Sequence, residues 1–151
     1  MGSYVHAASL KKAKTKLKMM FCLEMIGYYS DAPDSQRYPL PGLSALYPSI
    51  GNFIAIVGQL GVQEPVKQIK SLMAAHSEVP VYSINAPAGV PGLDLSDHRN
   101  YWKMGFRAVM ITDTSFYRNA NYHSPNDTPD TLDYDRMNQV VNGLYYAITG
   151  M

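Results

Sequence analysis

Four stretches of the chain, residues 17–26, 53–58, 79–84 and 107–112, are almost continuously apolar and are closed by glycine or polar residues. Runs of this length and composition predict strands buried on both faces. Between and after them the apolar positions fall at helical spacing. Val66, Ile69, Leu72 and Met73 mark a helix over residues 64–76, and Met137, Val140, Val141, Leu144, Tyr145 and Ile148 mark another over 132–148. Residues 4–16 predict a short amphipathic helix whose lysine-rich end suits the negative pole of its dipole. Ser96 is placed to cap a further short helix running to residue 104. Two segments resist regular structure: residues 28–50, with Pro33, Pro39, Pro41, Pro48 and Gly42, and residues 86–94, with Pro87, Gly89, Pro91 and Gly92. Strands that alternate with helices predict an α/β domain with a largely parallel or mixed sheet covered by helices, and active sites in such sheets gather in the loops at strand ends.

Composition narrows the function classes. The 151 residues, 46% of them apolar, match one ordinary globular domain with no internal repeat or interdomain linker. Thirteen Lys and Arg against twelve Asp and Glu leave no overall field to draw nucleic acid or a membrane surface. The basic run from Lys11 to Lys18 reads as a solvated helix end, with a polyanion patch as the alternative. A single cysteine, Cys22, excludes an internal disulfide and any cysteine-rich zinc knuckle. No apolar run reaches the ~18–20 residues of a membrane-crossing helix, and residues 1–15 lack the apolar core of a signal peptide. A soluble chain is expected, with its compartment left open.

The residues with chemical potential are few. Glu24 interrupts the first apolar run, and a carboxylate inside a buried strand must be paired, neutralised or bound to a cation, unless it sits at the strand's exposed end. Ser96, Asp97 and His98 follow one another at a loop-to-helix junction. Asp97 and His98 could ligate a metal or orient a ligand, while helix capping and the helix dipole explain Ser96 and Asp97 without function. Arg118 has the fork geometry to clamp a carboxylate or to pair with one of Asp127, Asp130, Asp133 and Asp135. His123 lies in the turn-rich run Asn121-Tyr122-His123-Ser124-Pro125-Asn126, where loop chemistry rather than core packing holds it and leaves its imidazole free for a metal or a proton. There is no glycine-rich phosphate loop, no G-x-S-x-G elbow, no H-E-x-x-H and no cysteine pair. Glu24 and His123 are compatible with part of a zinc site.

Taken in order, Leu23-Glu24-Met25-Ile26-Gly27-Tyr28, Tyr47-Pro48 before Gly51-Asn52-Phe53, Ser96-Asp97-His98, and Tyr122-His123-Ser124 with Asp127-Thr128 resemble the C-terminal half of the co-catalytic zinc aminopeptidases, metallopeptidase family twenty-eight. The resemblance spans essentially the whole chain. It implies a three-layer α/β/α sandwich with a mixed, mostly parallel sheet, two zinc ions at strand ends, and a bridging water that attacks the carbonyl of a peptide substrate. By the same resemblance Glu24 and His123 are metal ligands, and Ser96, Asp97 and His98 shape the site beside the metals. The family's upstream histidine, bridging aspartate and Glu-Glu pair have no counterpart here, so no residue of the chain takes the role of catalytic base. Met1-Gly2-Ser3 resembles the Gly-Ser just after that pair, and Leu93 stands where some members carry a substrate-holding tyrosine. The expectation is that residues 1–151 are the C-terminal part of one peptidase-like domain, with little or no activity alone and an exposed sheet edge prone to self-association. The alternatives are a non-catalytic interaction module and a half-site completed by another chain.

Overall fold

The computed structural model describes residues 2–87, 89–90 and 92–151; Met1 at the chain start, and Ala88 and Pro91 of the proline- and glycine-rich loop, lie outside the described residues. In chain order the elements are α1 (Gly2–Lys12), β1 (Met20–Leu23), β2 (Ile54–Gln59), α2 (Gln63–Ala75), β3 (Val81–Ala86), α3 (His98–Lys103), β4 (Ala108–Thr112) and α4 (Tyr134–Thr149). The strands form one sheet in the order β1-β4-β2-β3. β1 runs parallel to β4 and β2 parallel to β3, but β2 and β4 are antiparallel. The sheet is therefore mixed, as expected.

Strand alternation gives each face its own cover. Phe21, Val109, Ile111, Ile54, Ile56 and Val81 pack with Val66, Ile69 and Met73 of α2 and with Val140, Leu144 and Ala147 of α4. On the opposite face Cys22, Met110 and Val57 pack with Ala7 of α1 and with Tyr101 and Trp102 of α3. Helices on both sides of one sheet make the three-layer sandwich. α4 lies close to α2 because Gly143 has no side chain: a Cβ there would stand 3.1 Å from the Met73 carbonyl oxygen. Among the described residues no helix is long and apolar enough to cross a membrane.

Several element boundaries differ from the sequence pattern, and two of them bear on the site. The apolar run at 17–26 becomes a strand of four residues, Met20–Leu23, so Glu24 stands just past the strand end. The chain turns there because Met25 takes the left-handed conformation, with φ 57°. Helix α3 begins at His98 with no side-chain cap hydrogen bond. The Ser96 hydroxyl is committed elsewhere.

The strand directions decide which loops meet. Ala55 at the start of β2 pairs with Thr112 at the end of β4 and with Tyr82 in β3. The exits of β1 and β4 therefore share one end of the sheet with the entries to β2 and β3, and the 86–94 loop leaves β3 at the opposite end. The two exits are joined by Asp113. Its carboxylate, 1% exposed, accepts from the backbone N–H of Gly27 at 3.1 Å and Tyr28 at 2.8 Å through one oxygen. The other oxygen accepts from Ser115 N–H at 2.9 Å, and the Asp113 amide donates to Met25 O at 2.7 Å. Burial pushes the Asp113 carboxyl above its usual range, against the opposing pull of these amides and of Arg118. Asp113→Ala would strand three backbone donors, those of Gly27 and Ser115 buried and that of Tyr28 half-buried. It is expected to cost about 3 kcal/mol in urea denaturation, and a loss below about 1 kcal/mol would contradict this role.

Candidate functional site

Glu24 extends the ladder by one backbone bond, its amide donating to Ile111 O at 3.0 Å, and turns its half-buried carboxylate onto one face of the sheet. The Ser96 hydroxyl donates to one carboxylate oxygen, Oε2, in a short hydrogen bond, and lies 3.3 Å from Cys22 Sγ. Ser96, which follows β3 in the chain, thus meets Glu24 at the β1 exit. Together they border a cleft of about 150 Å³ whose floor includes Ala55, Val57, Tyr82, Ile84, Met110 and Thr112. Val57, Met110 and Ile84 join this floor to the cluster under α1 and α3 on the same face.

Two aromatic walls rise from the floor. Tyr38, Tyr47, Tyr82 and Phe53 form a chain of ring contacts with centroids 6.0, 6.1 and 5.1 Å apart. The Tyr38 hydroxyl donates to Pro48 O at 2.6 Å and the Tyr47 hydroxyl to Ser83 O at 2.9 Å. Burial raises both phenol pKa values, Tyr38 to about 12. Facing them, Phe116 packs on Tyr117 and Tyr122 at 4.4 and 5.6 Å. Tyrosine hydroxyls held by carbonyls leave mainly ring carbon facing the cleft, so it suits an apolar group.

The three consecutive residues Ser96, Asp97 and His98 part company. Only Ser96 reaches the cleft acid. Asp97 is exposed and accepts from the Ser3 hydroxyl at 2.6 Å, which itself accepts from Asn100 Nδ2 at 2.8 Å, so it fastens α3 to α1. His98 is fully buried, with Nε2 2.9 Å from Leu93 O and its ring edge-on to Trp102 at 4.5 Å. Trp102 is fixed in turn by its Nε1, which donates to Ala108 O at 2.9 Å. Through this series β4 holds Leu93 and the cleft wall beside Ser96.

Arg118 is 7% exposed and does not line the cleft. Its Nε donates to Gln36 Oε1 at 2.9 Å, and Nη1 donates to Phe53 O at 2.9 Å and Tyr28 O at 3.1 Å. The guanidinium lies 4.7 Å from the Phe53 ring centroid and 5.6 Å from that of Tyr29, and makes no ion pair with Asp127, Asp130, Asp133 or Asp135. Burial lowers its pKa to about 10. A side chain at Gly51 would collide with it, a Cβ there standing 2.8 Å from Nε. Arg118 therefore pairs backbone carbonyls on either side of the long 28–50 loop, Tyr28 at its start and Phe53 just past its end.

His123 is exposed, left-handed at φ 57°, and stacked on Tyr122 with centroids 3.9 Å apart. Tyr122 lines the cleft with Glu24, and His123 sits one residue beyond that lining. Its loop is braced by Asn119, whose Nδ2 donates to Asp127 Oδ1 at 2.9 Å and whose Oδ1 accepts from Asn121 N–H at 2.9 Å. Left-handed Met25, Thr114, Ser115 and His123 all lie on the β1 and β4 exits, where strained backbone is common near functional sites. Among the described residues, no three His, Cys, Asp or Glu side chains gather as a metal-holding group. Glu24 and His123 are suitable donors, and they suffice for part of a metal centre only. Asp113 and the aromatic walls carry no local sequence signal beyond a polar residue at a strand exit, because their partners are distant in the chain.

The domain is thus an α/β/α sandwich with a carboxylate at a strand end beside an aromatic cleft. The model of Peptidase family M28 matches residues 1–148, and the chain belongs to that family. It is 52% identical over 144 residues to uncharacterized protein YfbL of Escherichia coli strain K12, covering 95% of this chain and 44% of that protein. It superposes on the LapA aminopeptidase of Legionella pneumophila with a TM-score of 0.63 at 19% identity, over 97% of this chain and 34% of that one. For an aminopeptidase from Aneurinibacillus sp. strain AM-1 the TM-score is 0.62 at 21% identity, over 97% of this chain and 29% of that one. These superpositions establish a shared fold. The chain spans less than half the length of each of these relatives.

Burial holds the His98 pKa below its ordinary 6.5. As pH falls through about 6.5, the unfolded chain takes up this proton before the folded one, so stability is full above that pH and declines below it. Urea denaturation between about pH 7.5 and 5.5 is expected to show this decline, and His98→Gln to remove the His98 share of it. Equal slopes in the two proteins would contradict the assignment.

Proposed function

We propose that residues 1–151 form the cleft-bearing part of a zinc-dependent exopeptidase, an aminopeptidase-like hydrolase, and have little or no turnover alone. The observation behind this reading is Glu24: a half-buried carboxylate at the end of β1, one oxygen held by Ser96, at the mouth of an aromatic cleft in the M28 fold. On this reading Glu24 and His123 are two ligands of the metal centre, whose chemistry would be polarisation of the peptide carbonyl and activation of water. The remaining ligands and the general base come from outside these residues. Ser96 fixes the direction of the Glu24 carboxylate, the cleft takes the apolar side chain of a peptide and excludes water from it, and Asp113 and Arg118 hold both loops in place.

Leucine p-nitroanilide with added zinc tests the reading. The 151-residue chain alone is expected to give no turnover. The protein extended to include the completing segment is expected to turn over, with Glu24→Gln lowering kcat about 100-fold or more. Zinc-dependent turnover by residues 1–151 alone would refute it.

A half-site completed by another segment is favoured by one further observation. Glu24 stands on β1, an outermost strand of the sheet, while two strands separate it from β3 at the other edge. Completing donors therefore have their shortest approach along the free edge of β1. The same edge, with Leu23 46% exposed, would draw the isolated chain into self-association. Sedimentation equilibrium is expected to show concentration-dependent association that Leu23→Lys weakens; a strictly monomeric chain would contradict it.

A further inference from the structure

The cleft holds two charged side chains among its described lining residues, Glu24 and Arg37, in a surface otherwise made of rings, aliphatic carbon and small polar groups. Glu24 is engaged by Ser96. Arg37 is exposed, and the ion pairs of the described residues, Lys67–Glu64, Arg136–Asp31 and Arg136–Asp133, leave it out. Its position is nevertheless fixed. The Arg37 amide donates to Tyr117 O at 2.9 Å, and its carbonyl accepts from Gln36 Nε2 at 2.7 Å. Gln36 is in turn held by Thr114 and Arg118. The residue thus stands where the two aromatic walls meet, with Tyr38 beginning one and Tyr117 belonging to the other.

A guanidinium anchored through its backbone, with no acidic partner, beside an apolar cleft is complementary to a ligand that joins an apolar group to an anion. Its fork matches a carboxylate with two parallel hydrogen bonds, and the adjoining ring surfaces of the cleft hold the apolar part of the same ligand beside it. A neutral amide in the carboxylate's place would lose the charge-assisted part. We propose that Arg37 is a carboxylate-recognition point, and that the cleft takes ligands in which an aromatic or large aliphatic side chain adjoins a free carboxylate. Resting on the peptidase reading for its substrate, this narrows that substrate to dipeptides whose second, apolar residue carries the free C-terminus.

Hydrocinnamate and hydrocinnamide, which share the phenyl group and differ in the anion, are the probes. Calorimetric titration of the protein is expected to show hydrocinnamate binding about tenfold tighter than hydrocinnamide. Arg37→Gln is expected to erase that preference while leaving hydrocinnamide affinity within about twofold, because the Arg37 side chain is exposed and bears no packing role. Lys11→Gln on α1, an equal change in net charge away from the cleft, keeps the preference. Phe116→Ala, which trims the 44% exposed wall residue, weakens both probes together. Equal binding of the two probes by the unmodified protein, a preference that survives Arg37→Gln, or no saturable binding of either probe overturns the proposal. Neither probe has a peptide bond. Failure here leaves the peptidase reading standing, and absence of turnover in the completed protein leaves the titration fully readable.

Discussion

The Asp113 carboxylate accepts amide hydrogens from Gly27, Tyr28 and Ser115, so the segments that leave β1 and β4 are fastened through one buried side chain. A buried carboxylate is tolerable only when its lone pairs are filled, and here backbone donors from two loops fill them. The arrangement converts a desolvation cost into positional information. Glu24 lies three residues before the first of these amides, and the run to Tyr122 and His123 starts from the last. Arg118 completes the frame from the other side by tying the Tyr28 and Phe53 carbonyls to Gln36. The Asp113 oxygens and the Arg118 Nε and Nη1 are taken up by backbone or amide partners, while the buried Arg118 Nη2 has none among the described residues.

That division of labour runs through the whole cleft. Asp97, His98 and Trp102 are occupied with fastening α1, Leu93 and β4 to one another. At the cleft rim, one oxygen of Glu24, the His123 ring and the Arg37 guanidinium make no side-chain hydrogen bond among the described residues; deeper in the frame, His98 Nδ1 and Arg118 Nη2 are also unpartnered. Left-handed residues on the β1 and β4 exits cost backbone energy, and the buried bonds around Asp113 offset that cost. A largely hydrogen-bonded frame therefore presents a small set of exposed polar groups around an aromatic hollow, the arrangement expected of a binding surface.

Much of the fold follows from local pattern. The apolar runs mark all four strands, and helical spacing marks α2 and α4 within a few residues. The antiparallel turn of β2 against β4 has no such signature, because strand direction depends on where crossovers land. Glu24 was legible as an anomaly in an apolar run, and its place just beyond the strand follows from the turn at Met25, which the run itself conceals. Arg118 illustrates the limit: a sequence shows which carboxylates are near in the chain, while its partners are the carbonyls of Tyr28 and Phe53, far away in sequence. The aromatic walls are illegible for the same reason, since Tyr38, Tyr47 and Tyr82 meet only after β2 and β3 have paired.

On the proposed reading, Glu24 and His123 belong to one metal centre whose other donors lie outside these residues. Anomalous scattering at the zinc edge, from crystals of the protein extended to include the completing segment, addresses it directly. Zinc density with a Glu24 carboxylate oxygen and a His123 ring nitrogen each at ~2.0–2.2 Å is the predicted result. Zinc bound without either residue, or no zinc in a catalytically active crystal, would contradict the account.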